Sequence, residues 1–544
     1  MARSKALFST LISTLVLLSA CAHNSTPPTT PGSTSEPGPL RSLSLASYEL
    51  SPAFSPSVHD YTIRCEASSR ITVRHTTDPS ATVTLTPSAP VALSPGDLLT
   101  VDVSTAKRSE SYRVRCLPED FPKLEVRGTP GVWMQTVLPA HGARASYMVL
   151  LDEWGTPVFY KRYKSSPPFV SYIEHRDLPA SLAAKLPEQE GALLEIPLTY
   201  SEFGPFSLHK GTLVSLYSLS GKLLSSWKAP SDVAIDHHDA VLLPSGNLLA
   251  VSYQETEPPT GMGAAPFAAA HPVFGEPGCK SGPFNPTSDA FLDSVILEMT
   301  PDGSVLKSYS LKDILGVSAI SFPLRFDTDQ DPSSANCVFD AYHVNALDVT
   351  PDGGVLVSGL AMDGVVLIDR ASSKPRFRVG GPTDASSFSI AGDPLGGLSR
   401  IHDGRLSATG VLSVFDNRIA QPTEPARGVL YRLDESTKKA VFVSSFATTC
   451  DRSPCASQWG GSFRLAANGS VVIAAGGREN GPSIEVLSPT GDRLASLFSP
   501  SVYRAVPVKP RLSNSELASR TSALNTEPVV LDGTCSTDYF GICN

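Results

Sequence analysis

The sequence predicts an all-β fold in two parts, a small N-terminal β-sandwich and a larger body of repeated strand–turn–strand units. Three observations predict it. Short runs of alternating apolar and polar residues recur along the chain, and they carry its apolar content of 41%. The 544 residues include 40 Gly and 47 Pro, enough for many turns, whereas charged residues are only 18%. Turn motifs of one kind also recur along most of the length, which exceeds one ordinary domain. The net charge of −9 gives no electrostatic footprint for nucleic acid, so none is expected as a partner.

Taken in order, residues 1–20 are a targeting segment. Arg3 and Lys5 precede an apolar run, 6–18, and then Leu18-Ser19-Ala20-Cys21. This resembles a bacterial lipoprotein signal, with Cys21 as the lipidated residue, and the run is too short to span a bilayer comfortably. An ordinary cleaved secretory signal is the alternative. The expected product is an exported lipoprotein of an outer membrane, held there by its lipid, on the periplasmic side or the cell surface. Residues 21–39 are rich in Ser, Thr and Pro and read as an extended tether.

Residues 40–120 alternate at LRSLSL, HDYTIRC, RITVRH, ATVTLT, LLTVDVS and SYRVRC. Leu40, Leu43, Leu45, Leu50, Pro52, Phe54, Pro56, Tyr61 and Tyr112 resemble the bacterial cadherin-like domain, which implies an immunoglobulin-like β-sandwich. Of nine cysteines, eight remain after Cys21, an even number suited to an oxidising compartment. Cys65 and Cys116 each lie four residues after a tyrosine, on the same strand face, and are expected to pair. Proximity pairs Cys450 with Cys455 and Cys535 with Cys543, which leaves Cys279 with Cys337.

Residues 121–510 carry two interleaved series of turns. One runs 153–155, 219–221, 301–303, 371–373, 435–437 and 489–491. The other runs 189–191, 244–246, 351–353, 408–410 and 467–469. The first series predicts about six four-stranded blades, a six-bladed β-propeller whose radial sheets bury their faces on one another. Two insertions, 255–287 and 314–336, are expected as walls of a site at one end of the channel. Residues 511–544 read as a Ser-rich, Cys-closed tail without an assigned role.

Three histidine stretches stand before strand–turn–strand units: His237-His238-Asp239, Asp340-Ala-Tyr-His343-Val-Asn345, and His402-Asp403. Repeated around an axis, they bring their imidazoles to the middle. A neutral imidazole can act as nucleophile, general base or metal ligand. On extended backbone His237 and His238 point to opposite faces, and His238 is the one expected to reach the channel. Asp239 and Asp403 are read as turn caps.

The stretches HHDAVLLPSGNLLAV, DAYHVNALDVTPDGGVLVSGLAMDGVVLIDR with RFRVGG, IHDGRLSATGVLSVFDNR, and residues 501–505 resemble the bacterial arylsulfotransferase family. The resemblance implies a six-bladed propeller that moves a sulfuryl group between phenols through a sulfohistidine, without a nucleotide donor or other cofactor. It places His402 as the nucleophile, with His343 and His238 or His237 as partners. Phenolic compounds and aryl sulfates are the implied substrates. One position departs from the family: where an arginine follows in a Ser-x-Arg pattern, this chain has Ser358-Gly359-Leu360. Arg478 or Arg504 is then expected to supply the cation, and Asn345 a polar contact. Tyr342, Phe377 and Trp459 are candidates for an aromatic wall. Two other classes stay open: a propeller that has lost catalysis and serves as a binding module, and a histidine-held metal enzyme. No metal site is assigned. Asp327-x-Asp329-x-Asp331 begins like a calcium loop but has Pro332 where the loop needs glycine.

Overall fold

The computed structural model describes residues 38–525, apart from 67, 142–144, 165–168, 188, 198–211, 261–288, 323, 328–336, 422, 451–454, 479–480 and 500–501. The signal segment, nearly all of the tether, Cys21, Cys279, Cys535, Cys543, most of the first insertion and the end of the second therefore lie outside the described residues, as does the side chain of Cys337. The chain is mostly β, 48% strand and 6% helix, in many small sheets.

The N-terminal part has its own core. The strand Leu40–Leu45 pairs with Val73–Thr77, and Ser69–Ile71 pairs with Val91–Leu93. A four-stranded sheet places Ser109–Leu117 between Asp60–Arg64 and Leu98–Ser104, with Thr82–Thr86 outside. Period-two alternation sends Leu99, Val101 and Val103 to one face, where they meet Leu43, Tyr61, Ile71 and Tyr112. Cys65 and Cys116 are bonded inside this cluster, as their register with the tyrosines predicts.

The larger part is a succession of antiparallel meanders. One is Phe169–Ile173, Ala192–Ile196, Leu213–Ser218 and Leu223–Lys228. The next runs Ala240–Leu242, Leu248–Thr256, Ala290–Met299 and Val305–Ser310. Then come Val344–Val349 to Pro375–Gly380, Ile401–Leu406 to Lys439–Ala447, and Ser462–Leu465 to Arg493–Phe498. The predicted turns join the strands. Gly353 and Gly410 take φ of +84° and +75°, which a residue without Cβ adopts at little cost. In the outer series, where glycine is missing, Ser373 and Lys438 hold positive φ in or beside the turn. Large apolar side chains then fill the space between successive sheets, as Leu356, Phe377, Val414 and Tyr431 do in one shared cluster.

The two ends of this part are stitched together twice. Ala505–Pro507 pairs with Met134–Pro139, and Glu125–Gly128 pairs with Arg493–Phe498. Cys450 and Cys455 are bonded, as predicted. The stretch read as a roleless tail begins with structure: a helix, Asn514–Leu524, opened by a capping box between Ser513 and Glu516. Asn514 accepts from Arg115 and Ser522 donates to Asp97, both in the N-terminal part, while Asn525 holds Tyr160 and Arg162. The helix thus fastens the two parts to each other.

Candidate functional site

The site lies where first strands of successive sheets come together. His238 and Asp239 directly precede Ala240–Leu242, His343 precedes Val344–Val349, and His402 is the second residue of Ile401–Leu406. All three imidazoles are largely buried. The His238 and His343 rings are 5.0 Å apart and nearly perpendicular. His402 stands 6.3 Å from the Tyr503 ring, which is also 6.3 Å from His238. Tyr253 completes the cluster, 6.3 Å from His238 and 6.4 Å from His343. The local backbone is unusual: His343 and Asp403 have φ of +45° and +56°, a left-handed conformation that non-glycine residues rarely hold away from functional sites or tight turns.

Each imidazole is gripped at Nδ1. Asp236 Oδ1 lies 2.6 Å from His238 Nδ1, and Asp340 Oδ2 lies 2.5 Å from His343 Nδ1. His402 differs, because Asn417 Oδ1 is its partner, at 2.8 Å. With Nδ1 of His402 engaged, its Nε2 is the nitrogen left for chemistry. Burial is the main reason that His402 is held well below the ordinary value of 6.5; the Asn417 bond opposes this, and His343, His238 and Arg504 add to it through charge. His238 is likewise held well below, by burial and then by His343.

His237 corrects an expectation. Residues 237–238 form a bend and not extended backbone, so the two rings stack, 4.5 Å apart at 24°, instead of facing opposite ways. His237 packs against Phe169 on its outer side, and burial pulls its pKa down to about 3. Asp236, His237 and His238 are the described group whose ligand atoms cluster, all within 4.8 Å. Asp236 stands between the two rings: it is hydrogen-bonded to His238 Nδ1 at 2.6 Å and lies 3.5 Å from His237 Nδ1.

Asp239 and Asp403 are more than turn caps. Arg405 bridges them, at 3.0 Å from Asp239 Oδ2 and 2.9 Å from Asp403 Oδ1. Arg464 grips both oxygens of Asp403, at 2.6 Å each. Arg504 lies 3.3 Å from Asp239 and 3.9 Å from Asp403, and it donates to the Asn345 carbonyl. Burial alone would raise these carboxyls, but the guanidinium groups outweigh it and hold both below the ordinary carboxylate value.

The remaining candidates divide. Arg504 bears on His238 and His402 through its charge. Its Nε is buried with no hydrogen-bond partner among the described residues. Asn345 donates to the Ile401 carbonyl at 2.7 Å, and its own side-chain oxygen is buried and unpartnered in the same sense. Arg478 instead donates to the Thr449 carbonyl beside Gly481. Trp459 stacks on Tyr503 at 6.5 Å and 15°, and Phe169 meets Tyr503 edge-on at 4.4 Å, so an aromatic wall exists. Tyr342 and Phe377 do not contribute to it: they pack in cores against Phe291 and Phe388. Leu360 is also core, against Phe322.

Sequence reasoning missed Tyr503, whose hydroxyl is buried without a partner among the described residues, and Asn417. It also missed the carboxylates Asp236 and Asp340. The last two had a visible signal, an aspartate two or three residues before each histidine. Asn417 and Tyr503 had none, since each reaches a histidine from another strand or loop.

No curated relative matches the sequence. Among solved structures, the chain is similar to a protein of unknown function from Bacteroides caccae, at 12% identity and TM-score 0.34, over 70% of this chain and 99% of that one. A second, from Desulfotomaculum acetoxidans, has 11% identity and TM-score 0.32, over 72% and 90%. A catalytically inactive virginiamycin B lyase variant from Staphylococcus aureus has 13% identity and TM-score 0.26, over 60% and 73%. Nothing in these comparisons matches a cadherin-like domain over 40–120. Residues 279–490 match the arylsulfotransferase (ASST) family model, a span that takes in Asp340, His343, His402 and Asn417.

Proposed function

We propose that the chain is a six-bladed propeller preceded by an immunoglobulin-like sandwich, and that it transfers a sulfuryl group from an aryl sulfate ester to a phenol through a sulfohistidine at His402. The observation that carries this reading is the convergence of three buried imidazoles with unlike Nδ1 partners. A neutral amide leaves His402 with a lone pair on Nε2, as a nucleophile requires. A buried carboxylate, as Asp340 behind His343, suits an imidazole that passes a proton.

His402 Nε2 attacks sulfur, the N–S bond forms, and the ester S–O bond breaks. The departing phenoxide, whose acid has a pKa of about 10, takes a proton from His343. An acceptor phenol then returns its proton to His343 and attacks the same sulfur, and the N–S bond breaks to restore His402. The transition state is loose and its charge sits on the sulfuryl oxygens, so positioning and cations matter most. Arg504, whose charge bears on His238 and His402, stands in for the arginine that Leu360 replaces. The Tyr503 hydroxyl and Asn345 Oδ1 are buried polar groups without hydrogen-bond partners among the described residues. Trp459, Tyr503 and Phe169 favour a flat aromatic substrate.

Incubation with a chromogenic aryl sulfate and a phenol acceptor, in chelator, tests this. Transfer and a sulfated His402 peptide by mass analysis are expected, and both should vanish in His402→Ala. Unchanged transfer in that variant would refute the assignment. Leu360 favours a second reading, a propeller that binds aryl anions without turning them over. Saturable binding without transfer would select it, and loss of activity in chelator would select a metal enzyme. The lipid anchor on Cys21 and the outer-membrane address are part of the same proposal; metabolic labelling with a fatty acid, lost in Cys21→Ala, tests them.

A further inference from the structure

We infer that Asn417 is the positioning residue that sets the tautomer of the His402 imidazole; this rests on the sulfuryl-transfer reading and assigns the residue that makes its nucleophile competent. Asn417 is fully buried and directly follows Val411–Asp416, the strand paired with Ile401–Leu406. Its side-chain nitrogen donates to two backbone carbonyls, Ser457 at 3.1 Å and Gly460 at 2.9 Å. An amide nitrogen has two donors and no acceptor, so this pair of carbonyls consumes both. The carboxamide cannot be turned round, because Oδ1 would then face two carbonyl oxygens and lose both bonds. Oδ1 is therefore locked toward His402 Nδ1, at 2.8 Å, and it can only accept. The proton of a neutral imidazole must then sit on Nδ1, which places the lone pair on Nε2.

The lock is built by a neighbouring segment. The loop that carries Ser457 and Gly460 is itself pinned: Ser457 N–H donates to the Asn417 carbonyl, and its hydroxyl donates to Gly476 O at 2.8 Å. The neutrality of the amide matters as well. When Nε2 takes the sulfuryl group, the ring becomes cationic with its proton still on Nδ1, and Asn417 Oδ1 accepts that proton's hydrogen bond without removing it. The ring stays a good leaving group for the second half of the exchange. A carboxylate at this position would instead stabilise His402 as imidazolium before attack. His238, His343 and Arg504 face His402 and oppose its protonation, and Tyr503 flanks it.

The test is nitrogen-15 NMR of histidine-labelled full-length protein, with His402 assigned by difference from His402→Ala. Wild type should show His402 protonated on Nδ1 at neutral pH. Finding the proton on Nε2 would overturn the proposal without any variant. Asn417→Ala should mix the tautomers and lower kcat by about 10- to 100-fold, with KM little changed, the scale on which loss of a group orienting a reactive histidine is felt. Asn417→Asp should move the acid limb of the kcat/KM profile to higher pH, because its charge favours imidazolium. Unmoved tautomer and pH profile in both variants would also overturn it. The NMR readout needs no turnover, so a tautomer shift in a chain that transfers nothing would sink the reaction while leaving the role of Asn417 standing.

Discussion

Two layers of the same inner strands behave in opposite ways. His238, His343 and His402 form one layer. Its neighbour, one residue further along two of those strands, holds Asp239 and Asp403 with Arg405, Arg464 and Arg504. In the histidine layer each ring is held at Nδ1 by a single side chain, Asp236, Asp340 or Asn417. In the charged layer every carboxylate oxygen that is described has a donor: Asp239 Oδ1 takes the Ala240 N–H, and Asp403 Oδ2 takes Arg464 and the Phe463 N–H. Adjacent positions thus separate reactivity from support. A buried charge is tolerated only when it is paired and hydrogen-bonded, so the support layer must be complete.

The largest expected effect breaks the first layer alone. His402→Ala should abolish transfer in the aryl sulfate assay while leaving the thermal unfolding midpoint within a few degrees of wild type. A collapse of stability would show that the imidazole supports the fold after all. Next in size, Asp403→Ala should leave Arg464 and Arg405 without their shared anion. A cost of about 3–5 kcal/mol is expected in denaturant unfolding, with every histidine still present. A cost near zero would mean that the layer is not supporting the strands.

Acid sharpens the same contrast. Asp239 and Asp403 titrate lower in the folded chain than in the unfolded one. Their contribution to stability is therefore present above the unfolded value, near 3.9 by the usual reference, and is lost as pH falls through the depressed folded value. Stability should fall below about pH 4 in wild type and fall less steeply in Asp403→Asn, followed by unfolding midpoints across pH. The smallest effect concerns Tyr503. Its hydroxyl has no partner among the described residues, so Tyr503→Phe should cost nothing in stability, since a buried unsatisfied group is removed. A measurable drop in transfer with no change in unfolding midpoint would place the hydroxyl on the substrate. An equal drop in both would make it structural.

Legibility in the sequence followed the range of the interaction. Turn positions, strand faces, the Cys65–Cys116 and Cys450–Cys455 bonds and the approach of His238 to His343 were readable, because each follows from local periodicity or from repetition. The bend at 237–238 escaped, since an extended backbone was assumed where Asp236 folds the chain back by accepting the His238 N–H. The role of Asp403 escaped because its partner Arg464 is 61 residues away, on another sheet's inner strand. The helix Asn514–Leu524 escaped although its capping box, Ser513 with Glu516, stands in the sequence; a Ser-rich composition hid it.

The sequence by itself determined where strands start and stop, which face of each is apolar, and that the histidine stretches recur in register with the repeat. Those properties depend on backbone preference and on side-chain period, which are written locally. Only the tertiary structure decided which nitrogen of each imidazole is held, and by what. Asp236 and Asp340 are near in sequence, but Asn417 meets His402 across a strand pair and is itself aimed by carbonyls of a later loop. Proton placement depends on contacts within about 3 Å, and contacts of that length between distant residues exist only after the sheets have packed.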